Sequence, residues 1–164
     1  EAFEVVTLGS LAADTLAAVQ SARPYYINGG QGDDVITDGT SNDFLVGGGG
    51  DDTLVDLTGG ADADVFVFLS AADSGVSKNG RDRIGDFNRG QGDRIDLSAI
   101  DAVAGGGDDA FVVVAAFNRH AGQLLLTDKG GSILVQGDVN GDGRADFVFA
   151  VVTGSPLVAG DFIL

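Results

Sequence analysis

The sequence predicts an all-β protein built as a coil of short strands. Three observations predict it: a repeat of nine residues, 27 glycines among 164 residues, and acidity carried almost wholly by aspartate. Only Glu1 and Glu4 are glutamates, and glutamate is the better helix former, so the acids belong to turns and loops. A net charge of −16 argues against nucleic acid as a partner, while 44% hydrophobic residues suffice for one core. The lack of cysteine excludes disulfides, cysteine zinc sites and thiol catalysis.

Four segments of nine residues align with one another. They are GGQGDDVIT from Gly29, DGTSNDFLV from Asp38, GGGGDDTLV from Gly47 and GGADADVFV from Gly59. The sixth position is always aspartate, namely Asp34, Asp43, Asp52 and Asp64. The eighth position is always large and apolar, namely Ile36, Leu45, Leu54 and Phe66. We therefore expect the repeats to occupy residues 29–68. Residues 1–28 include a weaker copy of the repeat, GSLAADTLA, and are expected to form a cap or degenerate repeat.

Each unit is interpreted as a loop of six residues followed by a strand of three, with the large side chain pointing inward. Two units then make one turn of the coil, and residues 18 apart stack. Asp34 is predicted to lie over Asp52. On the opposite side Asp43 meets Asp64, at a spacing of 21, because three residues are inserted between the third and fourth units.

Stacked carboxylates repel by about 3 kcal/mol per pair at roughly 5 Å and an effective dielectric near 20. Bound dications remove this repulsion, and calcium is the best match because it takes six to eight oxygen ligands in irregular geometry. Zinc prefers His or Cys, and magnesium demands a strict octahedron. We expect about two to four ions. The predicted ligands in the repeats are Gly30, Gly32, Asp34, Gly39, Ser41, Asp43, Gly48, Gly50, Asp52, Gly60, Asp62 and Asp64. The alternative is that these acids are solvated in plain hairpin turns.

The units resemble the G-G-x-G-x-D-x-U-x pattern of RTX proteins. Together with the downstream segments GRDRIGDFNRGQGDRIDLSAIDA, FNRHAGQLLL, VNGDGRADFVFAVV and DFIL, they resemble the C-terminal domain of serralysin-type secreted metalloproteases. The resemblance implies a parallel β-roll that continues into a β-sandwich-like part over 69–164. It also implies bound calcium, an extracellular location, the type I secretion apparatus as a partner, and catalysis by a separate upstream domain. The second and fourth units depart from the pattern at Asp38, Thr40, Ser41 and Asp62, so their loops are expected to hold calcium less regularly.

No catalytic constellation is found in the sequence. An H-E-x-x-H zinc motif and a G-x-S-x-G elbow are both absent, and His120 is interpreted as a structural polar residue. We predict a non-catalytic module of a larger protein, such as a protease, lipase or epimerase. The rival function is a polysaccharide-binding or adhesive module, such as the R-module of a mannuronan epimerase. It needs an exposed basic or aromatic groove, for which the candidates are Tyr25, Tyr26, Arg81, Arg83, Arg89, Arg94 and Arg119.

A second candidate calcium loop lies in DVNGDGRAD. It places oxygen-bearing side chains at positions 1, 3, 5 and 9, namely Asp138, Asn140, Asp142 and Asp146. An EF-hand needs a glutamate at position 12 and flanking helices, whereas Phe149 stands there and the flanks are predicted strands. The sequence does not choose between a calcium loop and a plain hairpin turn.

Other acidic residues give weaker predictions. Asp73 and Asp82 either cap the last ion or are turn acids. Surface ion pairs are expected between the acids Asp86, Asp93 and Asp96 and the nearby Arg83, Arg89 and Arg94. DLSAI is expected to begin a short helical turn capped by Asp96 or Ser98. LAADTLAAVQSA, residues 11–22, fits either an amphipathic helix or a coil strand.

Export signals and membrane spans were also sought in the sequence. The final Asp161, Phe162, Ile163 and Leu164 resemble a type I export signal and are also expected to form a closing strand. Neither an N-terminal signal peptide nor an apolar run long enough to span a bilayer is found. The absence of methionine suggests a piece of a longer protein.

Overall fold

A computed structural model describes residues 5–18, 23–56, 62–105, 107 and 109–164. Within these ranges the chain forms short strands and one 3-10 turn, Ala159–Asp161, and no α-helix. The strands are β1 (Val5–Leu8), β2 (Thr15–Ala17), β3 (Tyr25–Gln31), β4 (Val35–Thr37), β5 (Phe44–Gly49), β6 (Thr53–Val55), β7 (Val65–Val67), β8 (Arg83–Phe87), β9 (Arg94–Asp96), β10 (Val112–Val114), β11 (Gln123–Asp128), β12 (Ile133–Asp138), β13 (Phe147–Thr153) and β14 (Phe162–Ile163). None of the described elements is a helix long and apolar enough to cross a membrane.

Successive strands from β1 to β9 alternate between two sheets. The first sheet has six strands in the order β1-β3-β5-β7-β9-β14, and all of its pairs are parallel. The second has eight, in the order β10-β11-β12-β13-β8-β6-β4-β2. Ile36 pairs with Leu54 and Leu45 pairs with Phe66, so the predicted stacking at spacings of 18 and 21 is confirmed.

The large residue of each strand fills the space between the two sheets. Ile36, Leu45, Leu54 and Phe66 are fully buried, as predicted for the eighth position. Burying a side chain of this size stabilises the fold by about 1.5–3 kcal/mol, and the stack repeats this gain at every turn. The core of the roll is thus set by one residue in nine.

The C-terminal strands extend the two sheets of the roll. β11, β12 and β13 form antiparallel pairs, β13 runs parallel beside β8, and β14 pairs with β9. Phe68 stacks on Phe149 with ring centroids 4.2 Å apart, which joins the end of the roll to β13. The predicted fold class, an all-β roll continuing into a sandwich-like region, is confirmed; the boundaries at 28 and 68 stay predictions.

Two local alternatives are resolved by the structure. Leu16 in β2 pairs with Ile36, so residues 15–17 form a strand of the coil; residues 19–22 lie outside the described residues. DLSAI forms one hydrogen-bonded turn, in which Ile100 N donates to Leu97 O at 2.9 Å. Asp96 caps it by accepting a hydrogen bond from Ser98 N at 2.9 Å.

Candidate metal centre

The loops between the two sheets form two edges of the roll. The first edge comprises residues 9–14, 29–34, 47–52 and 68–82, which lead from the six-stranded to the eight-stranded sheet and include the glycine-rich ends of β3 and β5. Loops that run back, termed the second edge, include the described residues 38–43, 56, 62–64 and 88–93. Each edge carries a row of buried aspartates.

Hydrogen bonds join the aspartates of the first edge from turn to turn. Asp14 N donates to Asp34 Oδ1 at 2.7 Å, and Asp34 N donates to Asp52 Oδ1 at 2.8 Å. Asp52 N in turn donates to Asp82 Oδ1 at 3.0 Å. One carboxylate oxygen of each aspartate therefore fixes the turn before it, which explains why the sixth position of the repeat is aspartate.

The second edge repeats this arrangement. Tyr25 N donates to Asp43 Oδ1 at 2.7 Å, and Asp43 N donates to Asp64 Oδ1 at 2.7 Å. Asp64 N donates to Asp93 Oδ1 at 3.1 Å. The predicted stacking of Asp34 on Asp52 and of Asp43 on Asp64 is thus present, and each row continues one turn further, to Asp82 and to Asp93.

The second oxygen of several of these aspartates has no hydrogen-bond donor. Oδ2 of Asp34, Asp52, Asp64 and Asp82 is buried and accepts no hydrogen bond. A buried anionic oxygen without a donor is costly, unless a cation binds it. Hard oxygen donors of this kind fit a hard cation such as calcium, and the residues present therefore fit the metal that the repeat pattern implies.

Burial raises the pKa values of these carboxyl groups. The pKa rises to about 6 for Asp52, about 7 for Asp64 and about 8 for Asp82. Loss of solvation is the main cause, backbone N–H donors oppose it, and neighbouring carboxylates add to it. In the folded roll without a bound cation, these carboxyl groups therefore stay protonated at higher pH than the same groups in water.

Two groups of three carboxylates lie close together on the second edge. One oxygen from each of Asp38, Asp43 and Asp64 lies within 4.8 Å of the others, and the same holds for Asp56, Asp64 and Asp93. All five residues are buried. Among the described residues these groups have the spacing needed to hold metal ions.

The predicted glycine ligands of the first edge have the backbone that the loops require. Gly48, for example, has φ of +104°, and a Cβ there would lie 2.0 Å from Gly30 O. Gly30, Gly32 and Gly50 also have positive φ. Metal binding by these residues and by Ser41 and Asp62 stays a prediction. Gly39 N donates to Asp43 Oδ2 at 3.1 Å, and Gly60 lies outside the described residues.

Sequence reasoning placed Asp93 wrongly among surface pairs. Asp93 is buried and accepts hydrogen bonds from Asp64 N and Asn88 N, while Arg89 pairs with Asp161 instead. A usable signal exists: Asp-Arg-Ile at 82–84 and again at 93–95 keeps the aspartate two residues before a buried apolar residue, as in the repeats.

Asp38 and Asp56 are two further candidate ligands that the sequence did not predict. Asp38 replaces the first glycine of the second unit and Asp56 begins the three-residue insertion after the third, so the repeat pattern predicts neither as a ligand. Both directly follow a strand of the eight-stranded sheet, which brings them onto the second edge.

The loop from Asp138 to Asp146 is the turn of the β12–β13 hairpin. Asp138 accepts hydrogen bonds from Gly141 N at 2.7 Å and Gly143 N at 2.9 Å, one on each oxygen. Asp146 Oδ2 accepts one from Val139 N at 2.8 Å. Both oxygens of Asp138 and of Asp146 accept hydrogen bonds, so the contacts are those of a turn. On the two edges, by contrast, Oδ2 accepts none in Asp34, Asp52, Asp64 and Asp82. Metal binding at Asp138, Asn140, Asp142 and Asp146 stays a prediction.

The tail is held by the loop that follows β8. Arg89 donates through Nε and Nη2 to the two oxygens of Asp161, both at 2.5 Å. Burial alone raises the pKa of Asp161, but the hydrogen bonds from Arg89 and Val158 N and the charges of Arg89 and Arg94 outweigh it and lower this pKa overall. The closing strand expected at the tail is present as β14.

Comparison with known proteins decides the family. The family described as Peptidase M10 serralysin C terminal matches residues 18–164. The chain belongs to the serralysin C-terminal family. This family is a non-catalytic region of proteases, and the resemblance found in the sequence is confirmed.

Two metalloproteases match part of this serralysin C-terminal chain. The chain is 43% identical over 91 residues to Metalloprotease AprA of Pseudomonas entomophila, and 40% identical over 89 residues to Metallopeptidase AprA of Pseudomonas marginalis. Each match covers 53% of this chain but only 18% and 17% of the relatives, so the chain spans under a fifth of their length.

Two solution structures of subunits of the Azotobacter vinelandii Mannuronan C5-epimerase share the fold of this serralysin C-terminal chain. AlgE6R3 aligns with a TM-score of 0.60 at 25% identity, over 99% of this chain and 84% of its own. AlgE6R2 aligns with a TM-score of 0.62 at 25% identity, over 96% of this chain and 91% of its own.

Proposed function

We propose that this chain is a non-catalytic calcium-binding module, which closes its roll outside the cell and carries the type I export signal of a larger secreted protein. One observation carries the proposal: two rows of buried, stacked aspartates leave carboxylate oxygens without hydrogen-bond donors. Such rows close readily only when their charge is neutralised. The family supports a secreted parent, since its name places it at the C terminus of serralysin peptidases.

Calcium is the dication that the donor set favours. The edges offer carboxylate oxygens and backbone carbonyls in loops of irregular shape, which suits an ion that accepts six to eight oxygens at variable angles. Magnesium prefers an octahedron and retains its waters, and the chain has one histidine and no cysteine to offer zinc.

The energetics make the module sensitive to calcium concentration. Extracellular calcium modules bind with dissociation constants of roughly 10⁻⁴ to 10⁻³ M. Each site that binds only the folded state adds about 1.4 kcal/mol of stability at ten times its dissociation constant. Several sites in one coil add together, so the repeats stay open where calcium is scarce and close where it is abundant.

The open state fits export, and the closed state fits the tail seen here. Phe162 is buried and pairs with Ile95 in the folded chain. A signal in residues 161–164 would therefore be read before the roll closes.

Circular dichroism and thermal melting with chelator, calcium or magnesium test this function. We expect β content and melting temperature to rise steeply with calcium and little with magnesium. Asp52→Asn, which keeps the acceptor for Asp34 N but removes the charge, should shift the calcium midpoint upward. Asp128→Asn, at the exposed end of β11, is the matched control. A chelated chain as β-rich and as heat-resistant as the calcium form would rule the switch out.

A second candidate function is polysaccharide binding, and a row of side chains favours it. Tyr26 pairs with Phe44, Phe44 with Val65, and Val65 with Arg94, so the four lie side by side across the six-stranded sheet. Tyr26 and Phe44 are half-buried and Arg94 is exposed. The structural likeness to subunits of a mannuronan C5-epimerase points the same way.

Two observations weaken this second candidate. Arg83 and Arg94 lie on different sheets, and Arg89 is engaged by Asp161. Titration with alginate oligomers at fixed calcium separates the two functions. Binding that Tyr26→Ala abolishes would support the second function. Calorimetric titrations that show no heat of binding at any oligomer concentration would exclude it.

A further inference from the structure

We propose that the two edges of the roll are unequal: Asp38 and Asp56 make the second edge an acid-rich site for two ions, which fills before the first edge. This inference rests on the proposed calcium function and ranks the sites within it. It follows from what stands at one position of the coil, which recurs every nine residues at 29, 38, 47 and 56.

On the first edge that position is occupied by Gly29 and Gly47, and neither has room for a side chain. A Cβ at Gly29 would lie 2.3 Å from Asp34 Oδ2, and a Cβ at Gly47 would lie 2.5 Å from Asp52 Oδ2. The carboxylate of the same loop fills the space that a side chain would need. Each turn of the first edge therefore contributes a single buried carboxylate to its row.

On the second edge the same position is aspartate in two successive turns. Asp38 follows β4, Asp56 follows β6, and the two are stacked because Asp38 N donates to Val55 O at 3.2 Å. Both side chains are buried, at 1% and 2% exposure. The turn with Asp38 and Asp43 therefore contributes two buried carboxylates, and the turn with Asp56, Asp62 and Asp64 contributes three, where a turn of the first edge contributes one.

The extra carboxylates complete two groups that share one residue. Asp38 joins Asp43 and Asp64, and Asp56 joins Asp64 and Asp93. Asp64 is fully buried, and its Oδ2 accepts no hydrogen bond. Asp64 thus belongs to both groups and has a buried oxygen without a donor, which indicates two neighbouring ions with Asp64 between them.

Charge then ranks the two edges. Affinity of oxygen sites for calcium rises with the number of charged ligands, and three buried carboxylates also suit a trivalent ion. Among the described residues, groups of three acids with metal-binding spacing occur on the second edge only. The second edge should therefore bind first, and should prefer trivalent over divalent cations more strongly than the first.

Terbium provides a probe that reports on the second edge. The chain has two tyrosines and no tryptophan, and Tyr25 N bonds Asp43 Oδ1. Tyrosine-sensitised terbium emission should therefore arise mainly from ions on this edge. In the unmodified chain we expect emission to saturate with the first terbium ions bound. Calcium should displace this terbium with the affinity of the tighter calcium-binding phase measured by calorimetry. Emission that grows only with the last ions bound would overturn the ranking.

Paired substitutions separate the two edges. Asp38→Asn with Asp56→Asn should weaken the tighter calcium phase by about tenfold or more, the effect of removing charged ligands. Asp33→Asn with Asp51→Asn removes the same charge from the first edge and should leave that phase unchanged. Circular dichroism at saturating calcium checks folding, and the single variant Asp56→Asn replaces the pair if the pair does not fold.

Equal effects of the two pairs, or one calcium phase that neither pair alters, would contradict the inference. Calcium-dependent folding would still stand in that case. A chain that binds no calcium at all would instead contradict the proposed function, so the two failures are distinguishable.

Discussion

Single residues decide how closely the turns of the roll can stack. Gly48 has φ of +104°, and a Cβ there would lie 2.0 Å from Gly30 O of the turn before. Gly130 also has positive φ, +72°, but a Cβ there would meet no atom within 4 Å. A comparison of substitutions at the two glycines therefore separates the effect of backbone conformation from the effect of contact between turns.

Gly48→Ala should destabilise the calcium-bound protein more than Gly130→Ala. A left-handed conformation costs about 1–2 kcal/mol for a residue with a Cβ in either variant. Overpacking against the neighbouring turn adds about 1–3 kcal/mol at Gly48 alone. Urea unfolding at saturating calcium measures the difference, and equal losses in the two variants would contradict close stacking at this position.

Neighbouring residues of β4 test which side chain fills the roll. Ile36 is fully buried and Val35 is 41% exposed. Ile36→Ala should cost about 2–5 kcal/mol, whereas Val35→Ala should change the stability by about 0.5 kcal/mol or less. Thermal unfolding in calcium compares them, and a reversed order would mean that the strand faces the other way.

At the scale of elements, the loop 88–93 links the second edge to the closing strand. Asp93 in this loop accepts a hydrogen bond from Asp64 N, and Arg89 in the same loop binds Asp161. β9, which follows the loop, lies between β7 and β14. The loop 88–93 therefore couples the order of the second edge to the order of the C-terminal tail.

Arg89→Ala should loosen the tail while leaving the repeats folded. Asp161 would be buried without its ion-pair partner, which is unfavourable. We expect a lower melting temperature and faster hydrogen exchange at Leu97 N, which donates to Ile163 O. Arg83→Ala, at an exposed position of β8, is the control. Unchanged exchange at Leu97 would show that the strand pairing alone holds the tail.

The repeat allowed the elements of the roll to be predicted, but not those beyond it. Strands at 35–37, 53–55 and 65–67 follow from phase alone, because each apolar residue must point inward. The parallel pairing of β13 with β8 joins segments more than 60 residues apart, and no local pattern selects that edge. Spacings of 30 and 29 also hide the repeat at Asp82 and Asp93, so Asp82 was predicted only as one of two alternatives, a cap for the last ion, and Asp93 was missed.

For the whole molecule, the raised pKa values couple stability to pH. Asp52, Asp64 and Asp82 have pKa values of about 6, 7 and 8 in the folded state against a usual 3.8. Between these limits the unfolded chain binds fewer protons than the folded chain, so folding stability falls as pH rises. Protons thus take over part of the role of a cation in the closed roll.

Chelated protein should therefore melt at a higher temperature at pH 5 than at pH 8. In saturating calcium the difference should shrink or reverse, because ions and protons compete for the same oxygens. Thermal melts at the two pH values, with chelator and with calcium, measure both effects. A chelated protein that is more stable at pH 8 would contradict the assignment of these carboxyl groups to a buried, uncompensated row.

The central claim is that cations lie between stacked aspartates on both edges of the closed roll. A crystal structure grown in calcium, with anomalous scattering used to locate the ions, tests it most directly. We expect peaks roughly 2.3–2.6 Å from Oδ2 of Asp52 and of Asp64, the usual distance for calcium and oxygen. A closed roll whose aspartate oxygens at both edges contact only protein atoms or water would contradict it.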